Sequence, residues 1–164
     1  MNRKGHIADN TKQILSLIPN GKRILGIDLG SKTIGLAVSD TELRIASPVT
    51  TLERSKLKND IIPLTRIIDE YRIGAIVVGL PLNMNGTESP RSQSTRDWTN
   101  ALLTLIAMPI LFWDERLSSL AVERAMLTAD LSRKKRTQKI DKAAAAYILQ
   151  GVLDNIRLST TSTP

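Results

Sequence analysis

The sequence predicts a mixed α/β fold: a five-stranded sheet flanked by helices, with three antiparallel strands followed by two parallel ones. Three observations carry this. The apolar run Arg23-Ile-Leu-Gly-Ile-Asp-Leu-Gly30 and the run Thr33-Ile-Gly-Leu-Ala-Val-Ser39 are separated only by a short turn, which is a hairpin pattern. The β-branched run Ile73-Gly-Ala-Ile-Val-Val78 and the run Pro109 to Trp113 alternate with helical segments, which is the pattern of parallel βα units. A carboxylate, Asp28, lies inside the first run instead of after it.

Taken in order, residues 7–18 have the spacing of a short helix with Ile14, Leu15 and Leu17 facing inward. The strands 22–29, 33–39 and 45–51 then form a meander. Residues 56–71 place Ile61, Leu64, Ile67 and Ile68 on one helical face. The strand 73–78 leads through a turn at 83–86 to Ser89-Pro90, an N-cap followed by proline at the first helical position, which opens a helix to about residue 106. A strand at 109–113 precedes helices at about 118–128 and 140–156. Residues 1–21 read as an extension before a 22–156 domain, and residues 157–164 as a disordered tail.

Composition narrows the chemistry. There is no cysteine, which excludes thiol nucleophiles, disulfides and cysteine metal sites. The single histidine, His6, leaves no His-based triad or multi-histidine zinc site. The basic N-terminus has no apolar segment behind it, so no signal peptide is expected. No apolar run approaches the roughly 18 residues of a membrane span, so a cytoplasmic protein with no membrane partner is expected. The net charge of +7 points to a polyanion as partner. The stretch Asp130 to Lys142 concentrates that charge, with six cationic and two acidic residues in thirteen. Aromatic residues are 3% of the chain, too few for a base-stacking platform; Trp98 and Trp113 read as packing residues.

Three acids are the candidate site. Asp28 shares a strand face with Gly26 and Ile24, and small neighbours leave room for a metal or phosphate near the backbone. The alternative is an acid that caps the hairpin turn. In Trp113-Asp-Glu-Arg116, at the C-terminal end of a parallel strand, alternation lets only one of Asp114 and Glu115 face the site, and the pattern does not choose. Asp141 precedes Lys142-Ala-Ala-Ala-Ala146, where it reads as an N-cap. It also starts the stripe Ala145, Ile148 and Val152, and so projects toward the sheet. Carboxylates suit Mg²⁺ or Mn²⁺, and a metal-activated water needs neither histidine nor cysteine. Arg133-Lys-Lys-Arg136 is a natural phosphate contact. The junction from Gly79 to Ser89 ends in a helix N-terminus, but it lacks the GK[ST] of a P-loop.

Four stretches, in order, resemble the motifs of the YqgF/RuvX family of pre-16S rRNA nuclease and Holliday junction resolvase-like proteins. They are Gly26-Ile-Asp-Leu-Gly-Ser-Lys-Thr-Ile-Gly-Leu-Ala-Val-Ser-Asp40, Val78-Gly-Leu-Pro-Leu-Asn-Met-Asn-Gly-Thr-Glu88, Trp113-Asp-Glu-Arg-Leu-Ser-Ser119, and Ser132-Arg-Lys-Lys-Arg136 with Ile140 to Gly151. The resemblance runs from about residue 22 to 156 and implies an RNase H-like fold and a divalent-metal nuclease. It implies that Asp28, Glu115 and Asp141 form the catalytic and metal-binding site, choosing Glu115 over Asp114. The cationic residues Lys32, Arg116, Arg133, Lys134, Lys135 and Arg136 are expected to contact the substrate. Thr33 stands where the family usually has arginine, Asn85 where aspartate is common, and Ser89 where glycine is usual.

The expected partner is nucleic acid, as structured RNA such as pre-16S rRNA or as branched DNA, bound by a monomer or a homodimer. A non-catalytic nucleic-acid-binding module is the second reading. An ATP-binding phosphotransferase fragment ranks last, because 164 residues leave no room for the second domain that closes over a nucleotide.

Overall fold

A computed structural model of the chain describes residues 5–117 and 133–161. Among the described residues the sheet has six strands, not five. They are β1 (His6–Ala8), β2 (Arg23–Leu29), β3 (Thr33–Ser39), β4 (Ala46–Glu53), β5 (Ile73–Leu80) and β6 (Pro109–Asp114), in the sheet order β1-β6-β5-β2-β3-β4. The helices are α1 (Thr11–Leu17), α2 (Leu57–Glu70), α3 (Pro90–Leu103) and α4 (Arg133–Thr161), with a 3-10 turn at Glu115–Leu117. The helix expected at 118–128 lies outside the described residues.

The meander and the two parallel units form as expected. β2 pairs antiparallel with β3, and β3 with β4. β5 pairs parallel with both β2 and β6. Pro48 is tolerated in β4 because that strand is at the edge of the sheet, where a missing N–H leaves no inner ladder broken. The extra strand replaces the start of the helix expected at 7–18: His6, Ile7 and Ala8 pair parallel with Pro109, Ile110 and Leu111. Asn10 then caps α1 by accepting from the Gln13 amide at 2.8 Å.

Each face of the sheet is covered by helices. On one face, Ala145, Ile148, Leu149, Val152 and Leu153 of α4 pack with Ile24, Ala37, Ala75 and Val77. On the other, Leu64 and Ile68 of α2 and Trp98 and Leu102 of α3 pack with Leu25, Ile27, Ile76 and Val78. Alternation along β2 therefore puts Gly26 and Asp28 on the α4 face. No helix among the described residues is long and apolar enough to cross a membrane.

Candidate active site

Asp28 sits one residue from the C-terminal end of β2 and is 2% exposed. Its direct neighbour on β3 is Gly35. On its other side, Ile27 pairs with Val78 of β5, so Gly79 is the next residue along from that pair. Gly35, Asp28 and Gly79 thus make a short row across three adjacent strands. Each glycine has the backbone or side chain of another acid above it.

Over Gly35 lies α4. A methyl group at residue 35 would run into the main-chain carbonyl of Asp141, so the close approach of helix and strand requires glycine there. Thr33, two residues back on β3, donates its hydroxyl to Oδ2 of Asp141. Asp141 is not at the start of the helix: α4 begins at Arg133, eight residues earlier, so Asp141 is an interior residue and caps nothing. The preceding stretch holds no glycine or proline to stop the helix, and Arg, Lys and Gln are good helix formers. Arg133, Lys134, Lys135 and Arg136 occupy its first turn. Their side chains lie outside the described residues.

Over Gly79 lies Glu115. β6 ends at Asp114, and the 3-10 turn that follows breaks the strand alternation. A methyl group at residue 79 would lie 2.9 Å from Oε1 of Glu115 and 2.5 Å from Cδ1 of Ile148. Asp114 turns elsewhere. It pairs with Arg116 at 2.6 Å, and hydrogen bonds from that guanidinium hold the Asp114 carboxyl below its ordinary value. The pair raises Arg116 in turn. Arg116 also donates to the carbonyl of Met84 at 3.1 Å, tying the 83–87 loop to the end of β6. Of the residues expected to contact substrate, Arg116 is thus engaged within the protein.

A cleft of about 840 Å³ opens at this end of the sheet and is lined by Asp28, Lys32, Thr33, Arg54, Arg91 and Asp141 among others. Asp28, Asp141 and Lys32 are thus brought together. Glu115 stands one strand over, across Gly79. Among the described residues no three acids, or acids and histidine, close into a ready-made metal cage. Arg54 and Arg91 are cleft residues that the sequence reading missed. Arg91 carried a signal: a cation in the first turn of a helix opposes the helix dipole, so its presence asks for another purpose. Arg54 carried none beyond its position just after a strand.

Comparison with known proteins agrees with the motifs. The family model RuvX, described as Holliday junction resolvase, matches residues 22–155. A protein of Methylocella silvestris, named "Putative pre-16S rRNA nuclease", is 51% identical over 136 residues, covering 83% of this chain and 84% of its own. One of Roseobacter denitrificans with the same name is 50% identical over 154 residues, covering 93% and 94%. Among solved structures, Thermus thermophilus RuvC in complex with Holliday junction substrate matches 87% of this chain and 98% of its own, with a TM-score of 0.56 at 15% identity. The yeast mitochondrial Holliday junction resolvase Ydc2 matches 93% and 86%, with a TM-score of 0.52 at 14% identity. At that identity the structures speak for the fold alone, and the fold is the RNase H-like one that the motifs imply. With most of its length matched by the family model, and relatives at half identity over nearly all of it, the chain belongs to the RuvX (Holliday junction resolvase) family.

Proposed function

We propose that this chain is a nuclease that hydrolyses phosphodiester bonds of precursor 16S ribosomal RNA, using Asp28, Asp141 and Glu115 with a divalent cation. The row of Gly35, Asp28 and Gly79 carries the reading. It spaces three acids along one end of one sheet face, with main chain and side chains approaching through the glycines. The names of the relatives supply the substrate.

The donor set fits Mg²⁺ or Mn²⁺. It offers hard carboxylate oxygens, with no thiolate or imidazole beside them to draw a softer metal. Two carboxylates facing one cleft also repel each other unless a cation shares the space. Asp28, Asp141 and Glu115 would hold the ion. When bound, such an ion supplies positive charge for the attacking water and the departing oxygen. The chain's own residues do the rest. Burial at the end of β2 fixes Asp28, the Thr33 hydroxyl orients Asp141, and Lys32 brings a cation to the same cleft for the substrate backbone.

A second reading has one specific support. The family model is described as Holliday junction resolvase, which favours branched DNA as the substrate. The same acids serve either nucleic acid, and the 2′-OH and shape would separate them. The reaction is expected in the cytoplasm.

The test is cleavage of a labelled precursor rRNA fragment and of a four-way DNA junction, with Mn²⁺ or with EDTA, beside Asp28→Asn. Cutting that EDTA removes and Asp28→Asn lowers by at least about a hundredfold is the expected result. The substrate that is cut decides between RNA and junction. Tight binding of either with no cutting by the wild type would favour a non-catalytic module.

A further inference from the structure

The arginines at this end of the sheet divide into two kinds. Arg96 pairs with Glu88 at 2.7 Å and lies over the Phe112 ring at 5.0 Å, while Arg116 pairs with Asp114 at 2.6 Å. Arg54 and Arg91 make no ion pair among the described residues, and both line the cleft that holds Asp28 and Asp141. Their charge is left for something that enters from outside.

Arg54 is held in place by more than its own chain. Its amide donates to the carbonyl of Lys32 at 2.9 Å, and its Nη1 donates to the carbonyl of Gly30 at 2.8 Å. The next residue, Ser55, is clamped on Asp60, which accepts from the Ser55 amide at 3.0 and 3.1 Å and from its hydroxyl at 3.0 Å. Asp60 is 4% exposed, so the clamp is anchored in the core. This fixes the β4–α2 junction against the β2–β3 turn, beside the cleft. The bond to Gly30 uses one of the five N–H groups of the guanidinium.

Arg91 comes from the other side. It is exposed in the first turn of α3, which packs on the face of the sheet opposite α4. A cation there weakens the helix instead of supporting it. The cleft therefore runs over the end of the sheet. Asp28 and Asp141 belong to the α4 face, Arg91 rises from the α3 face, and Arg54 stands at the hairpin turn beside them.

We propose that Arg54 and Arg91 form a second phosphate subsite, distinct from the acids, which grips phosphodiesters next to the one that is cut. The nucleic-acid backbone then crosses the end of the sheet from the α4 face to the α3 face. Guanidinium forks suit this role, because they contact phosphate oxygens in pairs and cannot lose their charge. The inference rests on the proposed function in taking nucleic acid as the ligand and the acids as the place of cutting.

The test is equilibrium binding in EDTA, where nothing is cut, across a salt series. The probes are the labelled precursor rRNA fragment and the four-way DNA junction. The proteins are the wild type, Arg54→Ala, Arg91→Ala, the double variant, the lysine variants, and Arg96→Ala as a control. Each alanine variant should bind whichever probe the wild type binds about tenfold more weakly. Each should also lower the slope of log K against log salt by about one, with additive loss in the double variant. Arg54→Lys and Arg91→Lys should recover most of the slope, which a merely structural role would not produce. Arg96→Ala should leave the slope unchanged. An unchanged slope in the double variant, with wild-type binding intact, overturns the subsite; so does failure of the wild type to bind either probe. A wild type that binds but never cuts sinks the nuclease reading instead, while the salt slopes still decide the subsite.

Discussion

The two ends of the acid row are built on different principles. At the Asp141 end, main chain meets main chain: the Asp141 carbonyl presses on Gly35, and the Thr33 hydroxyl orients the carboxylate. At the Glu115 end, side chains do the fitting. Glu115 and the tip of Ile148 share the space over Gly79, and the turn that aims Glu115 is braced by Arg116 between Asp114 and the Met84 carbonyl. Main chain packed between a sheet and a 29-residue helix cannot yield without moving both. A side chain yields by changing rotamer. The site therefore has one fixed end and one adjustable end, with Asp28 between them.

The hardest break of this contrast is Gly35→Ala. The nearest atoms that the added methyl meets are all main chain, of Asp141 and Lys142, so helix and strand must separate. We expect a loss of more than about 3 kcal/mol in urea unfolding, above the usual range for overpacking, together with loss of cleavage. A cost under about 1 kcal/mol would show that this end yields as easily as the other. Gly79→Ala sharpens the comparison from the adjustable end. There the methyl meets two side-chain tips, and Ile148 and Glu115 can rotate away. The expected cost is about 1–2 kcal/mol, yet cleavage should fall steeply because Glu115 is displaced. Equal stability losses in the two variants would erase the distinction.

The contrast also explains what the sequence could and could not convey. The strands around Asp28 were legible because an apolar run, a short turn and a second run depend on local pattern alone. Asp28 stood out for the same reason, as a carboxylate inside such a run. The sixth strand was hidden. Its three residues, His6-Ile-Ala8, have no period to read, and they are a strand only because Pro109–Leu111 is there to pair with. Asp141 drew notice for its place at the head of an alanine-rich stripe, but the capping role read for it does not hold, because the helix begins at Arg133. The helix was expected to start only at about residue 140, although nothing in the basic run before it stops a helix. Asp114 and Glu115 could not be separated by alternation, because the 3-10 turn at Glu115 ends it. Arg54 and Arg91 were illegible as site residues, since only tertiary structure brings a residue after β4 and one in α3 to the same cleft.

The mildest test concerns the brace on the adjustable end. Hydrogen bonds from Arg116 lower the Asp114 carboxyl below its ordinary value of 3.8. A carboxylate whose pKa is lower in the folded state stabilises that state fully above its unfolded value, and the contribution disappears as pH falls through the folded value. Asp114→Asn removes the charge at every pH. The wild type should therefore be more stable than Asp114→Asn near neutral pH, and the gap should close as the pH falls below about 4. The gap should also shrink in high salt, because the pair is partly exposed and screened. Amide exchange in the 83–87 loop should quicken in the variant, since Arg116 then lacks the carboxylate that holds it toward the Met84 carbonyl. A gap that stays constant from neutral to acid pH would mean that the Asp114 charge does not brace the turn. The adjustable end would then owe its shape to the packing of Glu115 and Ile148 over Gly79 alone.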